Sequence, residues 1–204
     1  MDIYQFITSA FAQYGYIIIF LGACLESILV LGFILPGGVV VLLGGYFASQ
    51  GQLSLTIVIF LAWMGMFIGD MLNYLLGKGS FVNFFQKFIK SNQFTEKKKL
   101  AQKYINEYGG YSIFYSHIIG HLRSVISFTA GAVGYPWRKF VGVVIVASLI
   151  WSVIFSAIGY FVGNTTVGVR NISERTTIIT LAIATIMIGL HIIQKLIVKV
   201  SKKI

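Results

Sequence analysis

Residues 27–69, SILVLGFILPGGVVVLLGGYFASQGQLSLTIVIFLAWMGMFIG, contain no Asp, Glu, Lys or Arg. A bilayer-spanning helix needs about 20 mostly apolar residues, so this run is too long for one span and must be broken. Pro36-Gly37-Gly38 supplies one break and Ser49-Gln50-Gly51-Gln52 another. The reading is a span over 38–50, free to begin earlier, followed by a second over 54–77. Stretches 3–25, 140–169 and 176–194 are equally free of charge. They place later spans over 137–163, entered at Pro136 as a first-turn proline, and over 176–197.

Composition agrees. Of the 204 residues 57% are hydrophobic and 11% charged, where a soluble domain carries about 25% charged residues. That is too little charge to cover a water-facing surface, which excludes a soluble globular protein. Sixteen Lys and Arg stand against six acids, a net +10. Charge-free runs of membrane length turn this excess toward an anionic membrane surface or anionic lipid, and away from nucleic acid. The single cysteine, Cys24, excludes an internal disulfide framework, and no Cys/His cluster suggests a structural metal. No cofactor is expected. Asp2 is the only charge before Glu26, so a basic n-region of a secretory signal is missing.

Two apolar pieces are interrupted by charge and glycine: 14–35, which contains Glu26, and 111–133, which contains His117, His121 and Arg123. Each reads as a re-entrant hairpin, irregular backbone being tolerated at membrane depth where it lines a protein cavity; an ordinary span with one tolerated charge is the alternative. Between the halves, Phe81, Phe84, Phe85 and Phe88 recur on one helical face, with Lys87 and Lys90 elsewhere. This predicts an amphipathic helix lying in the interface. A second helix is expected from Thr95 to Gly109-Gly110. Seven lysines from Lys78 to Lys103, together with Lys195, Lys199, Lys202 and Lys203, put the 78–103 region and the C-terminus in the cytoplasm. The fold expected is an all-α polytopic membrane protein. It would have about four full transmembrane helices, two re-entrant hairpins and an interfacial helix in one domain over 1–204. Its first half is 14–77, its interfacial helices 80–108 and its second half 111–197. Leu25-Glu26-Ser27-Ile28 and Leu122-Arg123-Ser124-Val125 read alike apart from the exchanged charge, one sign of a degenerate internal repeat.

Glu26, Asp70 and Arg123 are the ionisable groups that fall at membrane depth, with His117 and His121 beside the arginine. Each lone charge there costs about 2.5–3.5 kcal/mol, so these groups should share a cavity and pair in it. One reading is a polar site for an ion or an anionic headgroup; the other is a buried ion pair that fixes helix register. Arg123 offers a fork of donors suited to phosphate. Carboxyl groups kept from bulk water, here Glu26 and Asp70, are suited to pick up and hand on a proton. His117 and His121 stand at i and i+4, but no helix-borne carboxylate accompanies them, and no metal is expected. No G-x-S-x-G, H-E-x-x-H or Walker pattern is present, so no enzyme is expected.

Glu26, Pro36-Gly37, Gly45, Gly65-x-x-x-Gly69-Asp70, Tyr74 and Gly77-Lys78 resemble the first half of DedA-family membrane proteins, also called the SNARE-associated or VTT-domain group. Gly109-Gly110, Phe114, Arg123, Ala130-Gly131, Phe140, Trp151 and Gly159-Tyr160-x-x-Gly163 resemble the second half, in order and spacing over about residues 14–163. The resemblance implies a polytopic protein of the cell (plasma or inner) membrane with two re-entrant hairpins. It also implies movement of lipids between leaflets, bacterial members resembling translocases of undecaprenyl phosphate. By position it implies that Glu26 and Asp70 are functional acids and that Arg123 is the second arginine of an R-x-x-P-x-x-R pattern. Here His117 stands for the first arginine, Gly120 for the proline, and Gly38 for an acid that often follows Pro-Gly.

The expected function is transport of an anionic polyprenyl-phosphate lipid. Arg123 and His117 would hold the phosphate, while Glu26 and Asp70 exchange protons and pair with Arg123 when the site is empty. A phospholipid scramblase without ion coupling and a structural membrane scaffold are the alternatives. Expected partners are the lipid and the membrane, with no nucleic acid; self-association into a homo-oligomer is left open.

Overall fold

A computed structural model describes residues 3–28, 37–78, 102–103, 105–117 and 121–166. The principal helices are α1 (Ile3–Ser27), α2 (Gly37–Ser49), α3 (Leu55–Lys78), α4 (Gly110–Ser116), α5 (His121–Ala132) and α6 (Trp137–Thr166). Among the described residues there is no strand. Among the described residues three helices are long and apolar enough to cross a membrane, over Ser9–Ser27, Leu55–Lys78 and Trp137–Thr165. The chain is an integral membrane protein of helices. The expected interfacial helices fall outside the described residues apart from 102–103 and 105–108, as do the fourth span over 176–197 and the lysine-rich tail.

α3 and α6 lie where the charge-free runs and their breaks put them. The earlier elements differ. α2 has 13 residues, about 20 Å of helix against a hydrocarbon core of about 30 Å, and the earlier start allowed for this span falls in 29–36, outside the described residues. α1 is a continuous helix of 25 residues, long and apolar enough to cross over Ser9–Ser27, and the rest of the 14–35 piece, 29–35, lies outside the described residues. α1 tolerates Glu26 because that residue is the last but one, at the helix end and not in its middle. The 111–133 piece is divided: α4 has 7 residues and α5 has 12, and neither reaches across a bilayer.

Small residues set the packing. α2 lies on α6, and α3 on both α1 and α5. Where α2 crosses α6, a Cβ at Gly45 would overlap the Ser156 carbonyl oxygen, and one at Gly159 the Leu42 carbonyl oxygen. Where α3 crosses α5, Gly77 meets the Phe128 carbonyl and Gly131 the Tyr74 carbonyl in the same way. In all four cases the occluding carbonyl lies three residues before the partner glycine. Close backbone approach of this kind drives helix association where lipid is as apolar as the side chains. Gly51, at φ +76°, takes a left-handed conformation open to glycine and turns the chain from α2 into α3.

Two apolar clusters result. One gathers Ile19, Val41, Phe47, Val58 and Met66 with Trp151; the other gathers Tyr74, Ile113, Val125, Phe128, Phe140 and Val144. Outward, Ile17, Leu21, Ile57, Phe60, Leu75, Ile150, Ile154 and Phe161 are exposed. An apolar exterior of this extent on α1, α3 and α6 suits acyl chains rather than water.

Candidate functional site

Between the two apolar clusters lies a polar one. Asp70 is fully buried in α3, because the glycines at 65 and 69 let this helix lie against α1. Its Oδ2 is 3.1 Å from His117 Nε2, in the turn that ends α4. Its Oδ1 accepts from the Ser127 hydroxyl at 3.1 Å and lies 3.9 Å from Arg123 Nε, both on α5. His117 is 2% and Arg123 3% exposed. At such burial a lone charge would be costly, so the grouping of opposite charges is what makes the site tenable.

Arg123 also reaches α1 and α6. Its Nη2 donates to Ser27 Oγ at 2.9 Å, and that hydroxyl donates to the Ala23 carbonyl at 2.8 Å. The Asn73 amide donates to the Ser27 carbonyl at 2.5 Å, satisfying a backbone acceptor at the end of α1. Trp151 presents its ring to the guanidinium at 5.7 Å, within cation–π range. Arg123 Nε has no hydrogen-bond partner.

Glu26 is the last residue but one of α1. The Gly38 backbone N–H, in the first turn of α2, donates to its carboxylate. An acid at a helix N-terminus is favoured by the unsatisfied N–H groups and the dipole there. Arg123 and Asp70 both lie within its electrostatic reach, yet its Oε2 is buried and has no hydrogen-bond partner. Among the described residues no three His, Cys, Asp or Glu converge as a metal site.

Three side chains singled out from the sequence, Asp70, His117 and Arg123, thus come together, and Glu26 lies within electrostatic reach of Asp70 and Arg123. Ser27, Asn73 and Ser127 join them without having been expected as site residues, and Trp151 enters the site beyond its place in the family likeness. Ser127 stands one helical turn beyond Arg123, the only hint the sequence holds of its role; nothing marks Ser27 or Asn73. The likeness of 25–28 to 122–125 does not extend to position, since Glu26 ends α1 whereas Arg123 lies in the first turn of α5.

A family model described as the VTT domain matches residues 35–161. An uncharacterised membrane protein of Synechocystis is 30% identical over 190 residues, 90% of this chain and 86% of that protein. Undecaprenyl phosphate transporter A of Bacillus subtilis is 26% identical over 163 residues, 79% of this chain and 82% of that protein. Protein DedA of Escherichia coli K12 is 27% identical over 162 residues, 75% and 72% respectively. No solved structure matches.

Proposed function

The chain belongs to the VTT-domain (DedA) family, and on that premise we propose that it carries an anionic polyprenyl-phosphate lipid, of the undecaprenyl phosphate type, between leaflets together with a proton. The observation that carries this reading is Arg123: a buried guanidinium, held by Ser27 and Trp151, with an Nε donor left without a partner. A phosphate oxygen is the acceptor that such a donor suits best.

The headgroup would enter the polar cluster while its isoprenoid tail stays among the acyl chains outside α3 and α6. Glu26, within electrostatic reach of Arg123, balances the guanidinium when no phosphate is bound. Phosphate would displace that balance, and a proton would compensate the added charge. Inward movement makes the proton useful: two negative charges moved against about 100 mV cost roughly 4.6 kcal/mol, and one accompanying proton offsets about half. α4 and α5, each too short to cross and both ending near the site, are read as the two arms of a re-entrant hairpin. The glycine spacing common to the two crossings supports a repeat whose short helices are exchanged between halves.

The test is translocation of a fluorescent polyprenyl phosphate in proteoliposomes containing the full chain. Wild type should move the lipid, faster with a pH gradient, and Arg123→Ala should not. Equal rates in the two proteins would overturn the reading. Movement that ignores the pH gradient would favour a scramblase, and no movement at all a scaffold.

A further inference from the structure

His117 has both ring nitrogens committed. Nδ1 lies 3.0 Å from the Ile113 carbonyl oxygen, which can only accept, so Nδ1 carries a hydrogen. Nε2 lies 3.1 Å from Asp70 Oδ2. Two bare lone pairs do not sit at that distance, so a proton lies between them. It belongs either to an imidazolium beside a carboxylate or to a carboxylic acid beside a neutral imidazole. Both arrangements give the pair no net charge, and loss of the bridging proton leaves it at −1.

We propose that Asp70 and His117 hold this one shared proton as a unit, and that it is the proton that travels with the anionic cargo. The proposal rests on the transport reading above and assigns His117 to the proton instead of to the phosphate. With the proton in place, Asp70 is occupied by His117 and the Ser127 hydroxyl, and Arg123 Nε stays free for a phosphate oxygen. When the proton leaves to water, the ring cannot re-offer an Nε2–H without giving up Ile113. Asp70 then carries an uncompensated charge 3.9 Å from Arg123 Nε and draws that donor away from the phosphate. Proton and anion therefore favour each other's binding by the same factor.

Among the described side chains, the charged groups within reach of Asp70 are Glu26 from α1 and Arg123 from α5. α2 contains no Asp, Glu, Lys, Arg or His, and α6 contains only Arg138 and Lys139, exposed at its start. Glu26 is the rival seat for the proton, and the two are separable. Glu26 is held by the backbone N–H of Gly38, whereas Asp70 shares its hydrogen with the ring.

Two measurements on the full chain in detergent micelles decide the matter. Nitrogen-15 histidine NMR should find His117 Nε2 hydrogen-bonded at neutral pH in the wild type and moved to the free-imine position in Asp70→Ala, with His117→Gln assigning the signal. A free-imine Nε2 already present in the wild type overturns the proposal, whatever the lipid does. The second is proton uptake from weak buffer on adding a short-chain polyprenyl phosphate, at a pH where NMR finds the shared proton mostly off. Close to one proton should enter per lipid bound in wild type, and close to none in His117→Gln, as reciprocal linkage requires. Uptake kept in His117→Gln overturns the assignment. If wild type binds no polyprenyl phosphate, the transport reading and the coupling fail together, while the NMR signal still decides the shared proton.

Discussion

The glycine crossings yield a prediction whose sign depends on where the glycine stands. In a helix, Gly→Ala is worth up to about 1 kcal/mol of stabilisation from propensity alone. At Gly142, on α6, an added Cβ meets nothing within 4 Å, so Gly142→Ala should keep that gain. At Gly77 the same Cβ overlaps the Phe128 carbonyl. No side chain can rotate away, and the two backbones must separate. Overpacking costs about 1–3 kcal/mol, and a rigid carbonyl puts this case at the upper end. Subtracting the propensity gain leaves a net loss of about 1–2 kcal/mol. For a chain of this size that is about 2–8 °C in thermal midpoint, against a rise of about 2–4 °C for Gly142→Ala. Thermal unfolding of the detergent-purified protein, followed by circular dichroism, reads both. A second comparison is sharper. Gly77→Ala with Gly131→Ala burdens one crossing twice, and the second methyl enters a gap already opened by the first. The loss should then fall short of the sum by at least about 0.5 kcal/mol. Gly77→Ala with Gly159→Ala burdens two separate crossings and should add within about 0.3–0.5 kcal/mol. Equal midpoints for Gly77→Ala and Gly142→Ala, or strict additivity at the shared crossing, would refute the reasoning.

Other expected outcomes concern the polar cluster. Asp70→Ala strands a buried guanidinium and should cost about 3–5 kcal/mol of stability, much of it recovered in Asp70→Ala with Arg123→Leu; chemical unfolding in micelles measures the difference. Ser27→Ala removes the acceptor of Arg123 Nη2 and should lose about 1.5–3 kcal/mol by the same assay, the span given by hydrogen bonds to charged groups. Glu26→Gln should leave a folded protein by size-exclusion chromatography and abolish polyprenyl-phosphate movement in proteoliposomes. Trp151→Leu keeps an apolar side chain but loses the ring over Arg123, and should weaken phosphate-lipid binding by about 0.5–2 kcal/mol in a titration.

Much of this architecture was legible, for particular reasons. α3 and α6 are long and strongly apolar, with a turn or proline at the start, so length and the flanking breaks located them. Asp70 and Arg123 could be singled out because charge at membrane depth demands a partner. The heights of α1 and α2 were not legible in the same way. Both are apolar, and although the two breaks bracket α2, no break in the sequence marks α1's end at Ser27, one residue past the charge at Glu26. The partnership of Asp70 with His117 joins residues 47 positions apart through a turn whose geometry no periodicity reports. Ser27, Asn73 and Ser127 are small polar residues among many; only the fold separates those that serve the site from those that bond back to their own helix, as Ser148 and Ser152 do.

The crossing of α2 with α6 bears on how the chain is made. Gln50, just beyond α2, donates to the Gly163 carbonyl at 3.1 Å across 113 positions of sequence, so the helix against which α2 chiefly packs is synthesised long after it. At about 5–20 residues per second, roughly 6–23 s pass between the two leaving the ribosome. During that interval α2 is an apolar segment without its main partner, packed only on the earlier-made α1 and on α3. The glycine faces that make the finished bundle tight therefore also set the order in which it can close: the α2–α6 crossing forms last.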